Sequence, residues 1–262
     1  MYSTKIVKAE SSSAAAQAIE SAGEGKILAG GMTLIPTLKQ RLANPDCLVD
    51  ISGCGLEGIE DQGSTVRIGA MTKHVTVAES STVSKSIPAL AALAEGIGDR
   101  QVRNRGTIGG SVANNDPAAD YPSACMALNA TIHTNKRKVI ADKFFKGMFE
   151  TDLKKGELIE AIEFEVPEKS AYAKFPNPAS RYALVGVYVA KLKSGVRVAI
   201  TGAGNGVYRS KELEEALSKN FSNSVIDSVI VSNKGLNSDI HASAEYRAHI
   251  IKIMTKKAVS SC

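Results

Sequence analysis

The sequence predicts an α+β protein in three consecutive stretches, and three observations carry that expectation. Strand-like and helix-like segments alternate over the first fifty residues. From Leu56 to Val166 the pattern changes to short strands with helices between them. Beyond three prolines, Pro167, Pro176 and Pro178, two β-rich runs give way to helices. With 262 residues, 44% hydrophobic and 23% charged, the chain is long enough for one large domain or two modest ones, and its composition is that of a folded protein.

Lys5-Ile6-Val7 reads as a short strand, and Ser11-Ser12-Ser13 offers N-caps for an Ala-rich helix over 14–22 that Gly23-Glu24-Gly25 ends. Lys26-Ile27-Leu28 reads as a buried strand. Ala29-Gly30-Gly31-Met32-Thr33 follows as a small-residue turn, then an amphipathic segment over 34–42 stopped by Asn44-Pro45, then a strand over 47–51. Strands joined through helices imply a small parallel sheet. Val66-Arg67-Ile68 opens the second stretch. Thr72 is expected to cap a helix through Val77, and a longer helix is expected over 87–97 with Pro88 in its first turn. Residues 99–122 are the least periodic and the richest in Gly, Asn and Asp, and 123–130 resume a helical pattern. The runs 130–133, 138–141 and 158–166 suggest an antiparallel sheet. Residues 167–178 read as a domain boundary. After it, 183–192 and 196–201 form a hairpin about Lys193-Ser194-Gly195, followed by helices over 210–218, 225–232 and 242–258.

The net charge of +5, from 32 basic and 27 acidic residues, is diffuse, and with 5% aromatic residues it makes no case for nucleic-acid binding. The N-terminus has no apolar signal-like region and no stretch approaches a membrane span, so a cytoplasmic protein is expected. Cys47, Cys54, Cys125 and Cys262 are too scattered for a disulfide framework, a zinc site or an iron–sulfur cluster, and read as reduced thiols. No zinc helix, nucleophile elbow or Walker A sequence is present. His74, His133, His241 and His249 are too far apart to act as a set and read as capping, core or surface residues. Gly202-Ala203-Gly204-Asn205-Gly206 has its third glycine one residue too early for a dinucleotide fingerprint and reads as a loop.

Two segments carry more. Ala29-Gly30-Gly31-Met32-Thr33 lies between a strand and a helix start, where bare backbone N–H groups can cradle an anion. Arg105-Gly106-Thr107-Ile108-Gly109-Gly110-Ser111 repeats that chemistry with hydroxyls beside paired glycines. Either alone reads more simply as a tight turn; together they favour a dinucleotide held from two sides. Asn114, Asn115, Asp116 and Asp120 follow the second segment. Carboxylates repel phosphate but accept hydrogen bonds from ribose or ribityl hydroxyls. Asx-turns and helix caps are the alternative for the same residues.

These segments, with Asp116-Pro117-Ala118-Ala119-Asp120-Tyr121-Pro122, closely resemble the FAD-binding medium subunit of molybdenum hydroxylases, the family of the aerobic carbon monoxide dehydrogenase and xanthine dehydrogenase type. Asn177-Pro178-Ala179-Ser180-Arg181-Tyr182 and Ala242-Ser243-Ala244-Glu245-Tyr246-Arg247 extend the resemblance into the C-terminal stretch. It implies a PCMH-type FAD-binding fold over 1–167, in subdomains of about 1–55 and 56–167, and a C-terminal domain over 168–262 built on a three-stranded antiparallel sheet with helices.

The implied FAD contacts are Leu28, Ala29, Gly30, Gly31, Met32, Thr33 and Leu34; Thr107, Ile108, Gly109, Gly110 and Ser111; and Asn114, Asp116 and Asp120. Ile159, Lys174 and Tyr182 fall at further positions matching the flavin region, where the plainer readings are core packing for the first and third and a solvated charge for the second. Met32 stands where the family often has a polar residue, which leaves the backbone contact intact. No catalytic residue and no metal ligand are implied on this chain. The resemblance implies an electron-transfer flavoprotein subunit fed by [2Fe–2S] clusters on a small subunit, with a molybdopterin cofactor on a large one, in a dimer of heterotrimers. A self-sufficient flavin oxidase on a related fold is the alternative.

Overall fold

A computed structural model describes residues 1–262. β1 (Lys5–Lys8), α1 (Ser12–Ser21), β2 (Gly25–Leu28), α2 (Leu34–Lys39) and β3 (Cys47–Asp50) alternate as expected. Both strand pairings are parallel, in the order β1-β3-β2. Ser11 opens α1 by accepting a hydrogen bond from the Ala14 N–H at 3.2 Å. Because β3 inserts between the two earlier strands, β2 lies at an edge and is half-buried rather than buried. That edge strand delivers the first glycine turn.

The central region begins with the hairpin β4 (Ile59–Asp61) and β5 (Thr65–Gly69) and continues through α3 (His74–Glu79), α4 (Ser81–Ser86), α5 (Pro88–Glu95), α6 (Arg100–Arg105), α7 (Ile108–Asn114) and α8 (Tyr121–Ala127). The aperiodic stretch 99–122 is therefore mostly helical, in pieces too short to show an apolar period. The starts of α6 and α7 are set by side chains: Asp99 accepts from the Val102 N–H at 2.8 Å and Thr107 from the Gly110 N–H at 3.2 Å. Thr72 does not cap α3. Its hydroxyl is spent on the Gly58 N–H and carbonyl, and the helix starts two residues later. β6 (Thr131–Thr134), β7 (Lys138–Ile140), α9 (Ala141–Phe144), β8 (Phe145–Gly147), β9 (Glu150–Thr151) and β10 (Ile159–Glu165) complete the region. Its main sheet is antiparallel in the order β4-β5-β10-β6-β7.

The expected boundary at 167–178 is a strand, β11 (Lys169–Pro176). It leads into β12 (Ala183–Leu192), β13 (Gly195–Thr201) and the two-residue β14 (Tyr208–Arg209), so the sheet has four strands rather than three. Pro176 ends β11, at a register shift where a missing N–H breaks no regular ladder. α10 (Lys211–Lys219), α11 (Asn223–Ile226) and α12 (Ala244–Ser260) follow. α11 is shorter than the helix expected over 225–232. One face of this sheet packs on α10 and α12, while Tyr188, Ala190, Leu192 and Ala199 on the other join the core of the central region. All four cysteines are free, and no helix is long and apolar enough to cross a membrane.

Candidate functional site

A cleft of about 930 Å³ opens between the parallel sheet and the central region, with residues 180–182 on its rim. Its size suits a large ligand of many polar groups. The two glycine turns meet in it, and they do different work. In the first, the backbone N–H groups of Gly30, Gly31, Met32 and Thr33 have no acceptor within the chain, while Gly31 bends the turn at φ +75°. Four consecutive unused donors in a cleft are the kind of cradle a diphosphate fills.

In the second turn the amides of Ile108 and Gly109 are already committed, to the carbonyls of Thr72 at 3.0 Å and Ala70 at 2.9 Å. What it offers the cleft is small size and hydroxyls. A Cβ on Gly30 would lie 2.1 Å from the Arg105 carbonyl oxygen, and one on Gly109 would lie 2.5 Å from Ala70 Cβ. These two glycines let backbones meet. Gly110 differs: its Cβ would stand 2.8 Å from the Thr107 hydroxyl and 3.5 Å from Ala29 Cβ, in the gap between the turns.

Asp120 lies at the end of the loop after α7 and is 5% exposed. The Tyr172 hydroxyl donates to its Oδ1, and Lys174 Nζ donates to its Oδ2 at 2.9 Å. Burial pushes the carboxyl pKa up, and the Lys174 cation and the Tyr172 hydrogen bond oppose that rise. Asp116 makes a local turn, accepting from the Ala118 N–H at 2.9 Å. Tyr182 is 43% exposed at the rim. Its phenol pKa is raised by burial and by Asp116, with the Thr33 hydroxyl acting against.

The structure brings all but three of the sequence-derived residues to the walls of this cleft, including Met32, Ser111, Asn114 and Ile159. Leu28 lies just behind the first turn against Gly31, Ile108 is fully buried in the central core, and Lys174 stands behind Asp120. Sequence reasoning passed over Tyr172, which lies in the stretch read as a boundary, and it left His74 as one scattered histidine among four.

His74 lines the cleft floor, 4% exposed, with its ring 5.3 Å from that of Tyr121. A Cβ on Gly106 would lie 2.5 Å from His74 Nε2, so this glycine makes room for the imidazole. Burial, and then the Arg103 cation, push its pKa down from 6.5 to about 4. Above pH 6.5 the ring is neutral folded or unfolded, and its shift does not bear on stability. As pH falls below 6.5 the unfolded chain takes up a proton that the folded one refuses, so stability drops by about 2 kcal/mol between pH 7 and pH 5. His74→Gln, which does not titrate there, is expected to lose that part of the drop in urea midpoints measured at the two pH values.

A cleft with a run of unused amide donors, small-residue turns on both sides and a buried carboxylate defines a dinucleotide-binding protein. Comparison with known proteins makes the class specific. The family described as "FAD binding domain in molybdopterin dehydrogenase" matches residues 2–168, and the chain belongs to it. It is 36% identical to the glyceraldehyde dehydrogenase medium chain of Sulfolobus acidocaldarius, over 96% of this chain and 95% of that one. It is 34% identical to the carbon monoxide dehydrogenase medium chain of Hydrogenophaga pseudoflava, over 91% and 89%. Among solved structures, carbon monoxide dehydrogenase from the same organism superposes with a TM-score of 0.90 at 32% identity, over 99% of this chain and 96% of that one. The chain is thus a flavoprotein subunit of an oxidoreductase, and its relatives are medium chains of multi-subunit enzymes. That kinship favours the subunit reading over a self-sufficient oxidase.

Proposed function

We propose that this cleft holds one FAD and that the chain serves as the electron-transfer subunit of a molybdenum hydroxylase. The observation that carries the proposal is the run of unused amides from Gly30 to Thr33 facing the second turn across the gap at Gly110. The amides would take the diphosphate, with the hydroxyls of Thr33, Thr107 and Ser111 beside them. Asp120 has lone pairs left for a ribose or ribityl hydroxyl, and Asn114 and Asp116 border the same wall. Ile159 and Tyr182 would flank the ring system. Gly109 on the wall and Ile108 behind it would fix the second turn, and Lys174 would act through Asp120.

Bound FAD supplies the redox chemistry, a relay of electrons from [2Fe–2S] clusters on a small partner subunit to an external acceptor. Substrate would be hydroxylated on a large molybdenum-cofactor subunit. This chain's own residues bind and orient the flavin, and none need act as an acid or base. Residues 1–167 would form the flavin domain and 168–262 a C-terminal domain, within a cytoplasmic dimer of heterotrimers.

The test has two stages. The purified chain should take up FAD, and its flavin should be bleached anaerobically by the enzyme's substrate only when the iron–sulfur and molybdenum subunits are present. Bleaching by substrate with the isolated chain would favour the self-sufficient oxidase.

A further inference from the structure

We infer that Tyr172 is a positioning residue for the flavin site: its hydroxyl orients the Asp120 carboxylate toward the cleft, so that the C-terminal sheet helps set flavin affinity. The inference rests on reading the cleft as the FAD site.

β11 runs between two cores, and its period-two alternation separates their side chains. Ala171 and Ala173 enter the core shared with α10 and α12, whereas Tyr172 and Lys174 point the other way. There the two side chains divide one carboxylate, the tyrosine hydroxyl on Oδ1 and the ammonium on Oδ2. Lys174 Nζ also donates to the Gly96 carbonyl at 3.3 Å, which ties it to the end of α5. Two donors from behind fix the rotation of the carboxylate, and each oxygen keeps a lone pair for a hydroxyl in front. Neither Tyr172 nor Lys174 lines the cleft; Asp120 does.

The sheet is shaped to hold the phenol where it is. A Cβ on Gly186 of β12 would lie 2.4 Å from the Tyr172 hydroxyl and 2.8 Å from Thr201 Cγ2, so glycine leaves the space the phenol occupies. The Tyr188 ring stacks on Tyr172 at 5.9 Å. The same sheet grips the loop leading into Asp120. The Thr201 hydroxyl is shared between the carbonyls of Ala119 at 2.7 Å and Pro117 at 3.0 Å, and the Gly202 N–H donates to Pro117 at 2.8 Å. A carboxylate held this tightly arrives preorganised for a hydroxyl partner.

Tyr172→Phe in the full chain keeps the ring and its stacking and removes the hydroxyl. The Kd for FAD is expected to rise about tenfold, the worth of one hydrogen bond to a charged group. The pH profile separates positioning from mere structure. Around Asp120 stand Tyr172 and Lys174 on β11, Tyr121 on α8, Tyr182 at the rim and Asp116 in the same loop; the three tyrosines hold their protons more tightly than usual. The Tyr172 hydroxyl pulls the Asp120 pKa down. The acid-side loss of FAD affinity should therefore move to higher pH in Tyr172→Phe.

Gly186→Ala is the second variant. It presses on the hydroxyl, and is expected to weaken FAD binding in the wild-type background and less so in Tyr172→Phe. Unchanged affinity and profile in Tyr172→Phe, or an even loss at every pH, would overturn the inference while leaving the flavin site standing. Failure of the wild-type chain to bind FAD would instead overturn the reading beneath it.

Discussion

Gly110→Val is expected to abolish FAD retention and to leave the chain folded. The ideal Cβ at this position stands 2.8 Å from the Thr107 hydroxyl and 3.5 Å from Ala29 Cβ, so a branched side chain occupies the gap between the two turns. With the diphosphate excluded from that gap, a loss of at least about a hundredfold in affinity, roughly 2.7 kcal/mol, is expected. The cost to the fold is smaller. Thr107 caps α7 through the Gly110 N–H, and disturbing a cap costs about 1 kcal/mol. Flavin fluorescence quenching gives the affinity and a urea midpoint gives the stability. A valine variant that binds FAD normally would show that the gap is not the cofactor's place. Gly31→Val is a poorer probe, because φ at Gly31 is +75° and a β-branched residue there strains the backbone whatever the ligand does.

Gly30→Val, one residue earlier, is expected to fail differently. Its Cβ would lie 2.1 Å from the Arg105 carbonyl oxygen and 2.8 Å from Gly106 Cα. Both are backbone atoms and cannot rotate away. The first turn must then back off from the second, which separates the parallel sheet from the central region where the cleft is built. Overpacking of this kind costs about 3 kcal/mol or more, so both the urea midpoint and FAD binding should fall. The pair makes a sharp contrast within one site, since Gly110→Val should uncouple binding from stability and Gly30→Val should lower both. A Gly30→Val chain of wild-type stability would show that the two turns do not need this contact.

Much of this architecture was legible in the sequence, and what was missed has physical causes. The alternation of strand and helix up to Asp50 was clear because each strand is bounded by glycine, proline or a serine cap. The edge position of β2 was not, since it depends on β3 entering between two earlier strands. α6 to α8 have six or seven residues each, fewer than two turns, and an apolar period cannot declare itself over that length. The caps at Asp99 and Thr107 emerge only in the fold, because the glycines and asparagines around them mask the helix starts. β11 was hidden by its flanking prolines, although the alternation Ala171-Tyr172-Ala173-Lys174 is that of a strand with two different faces.

The candidate site divides the same way. Both glycine turns stand out in the sequence by their paired glycines and neighbouring hydroxyls, where they look like equivalent cradles. Only the fold shows that the first keeps its amides free while the second spends two of them on Thr72 and Ala70. The same holds for Lys174, which only the family resemblance marks as a basic contact and whose position in the fold makes it the partner of Asp120.

The central claim is that the cleft between the glycine turns is a flavin site, and the most direct measurement is the visible spectrum of the purified chain titrated with FAD. Flavin absorption is expected to stay with the protein through gel filtration at about one flavin per chain, and to be lost in Gly110→Val with stability lowered by no more than about 1 kcal/mol. A folded wild-type chain that emerges colourless after incubation with FAD would contradict it.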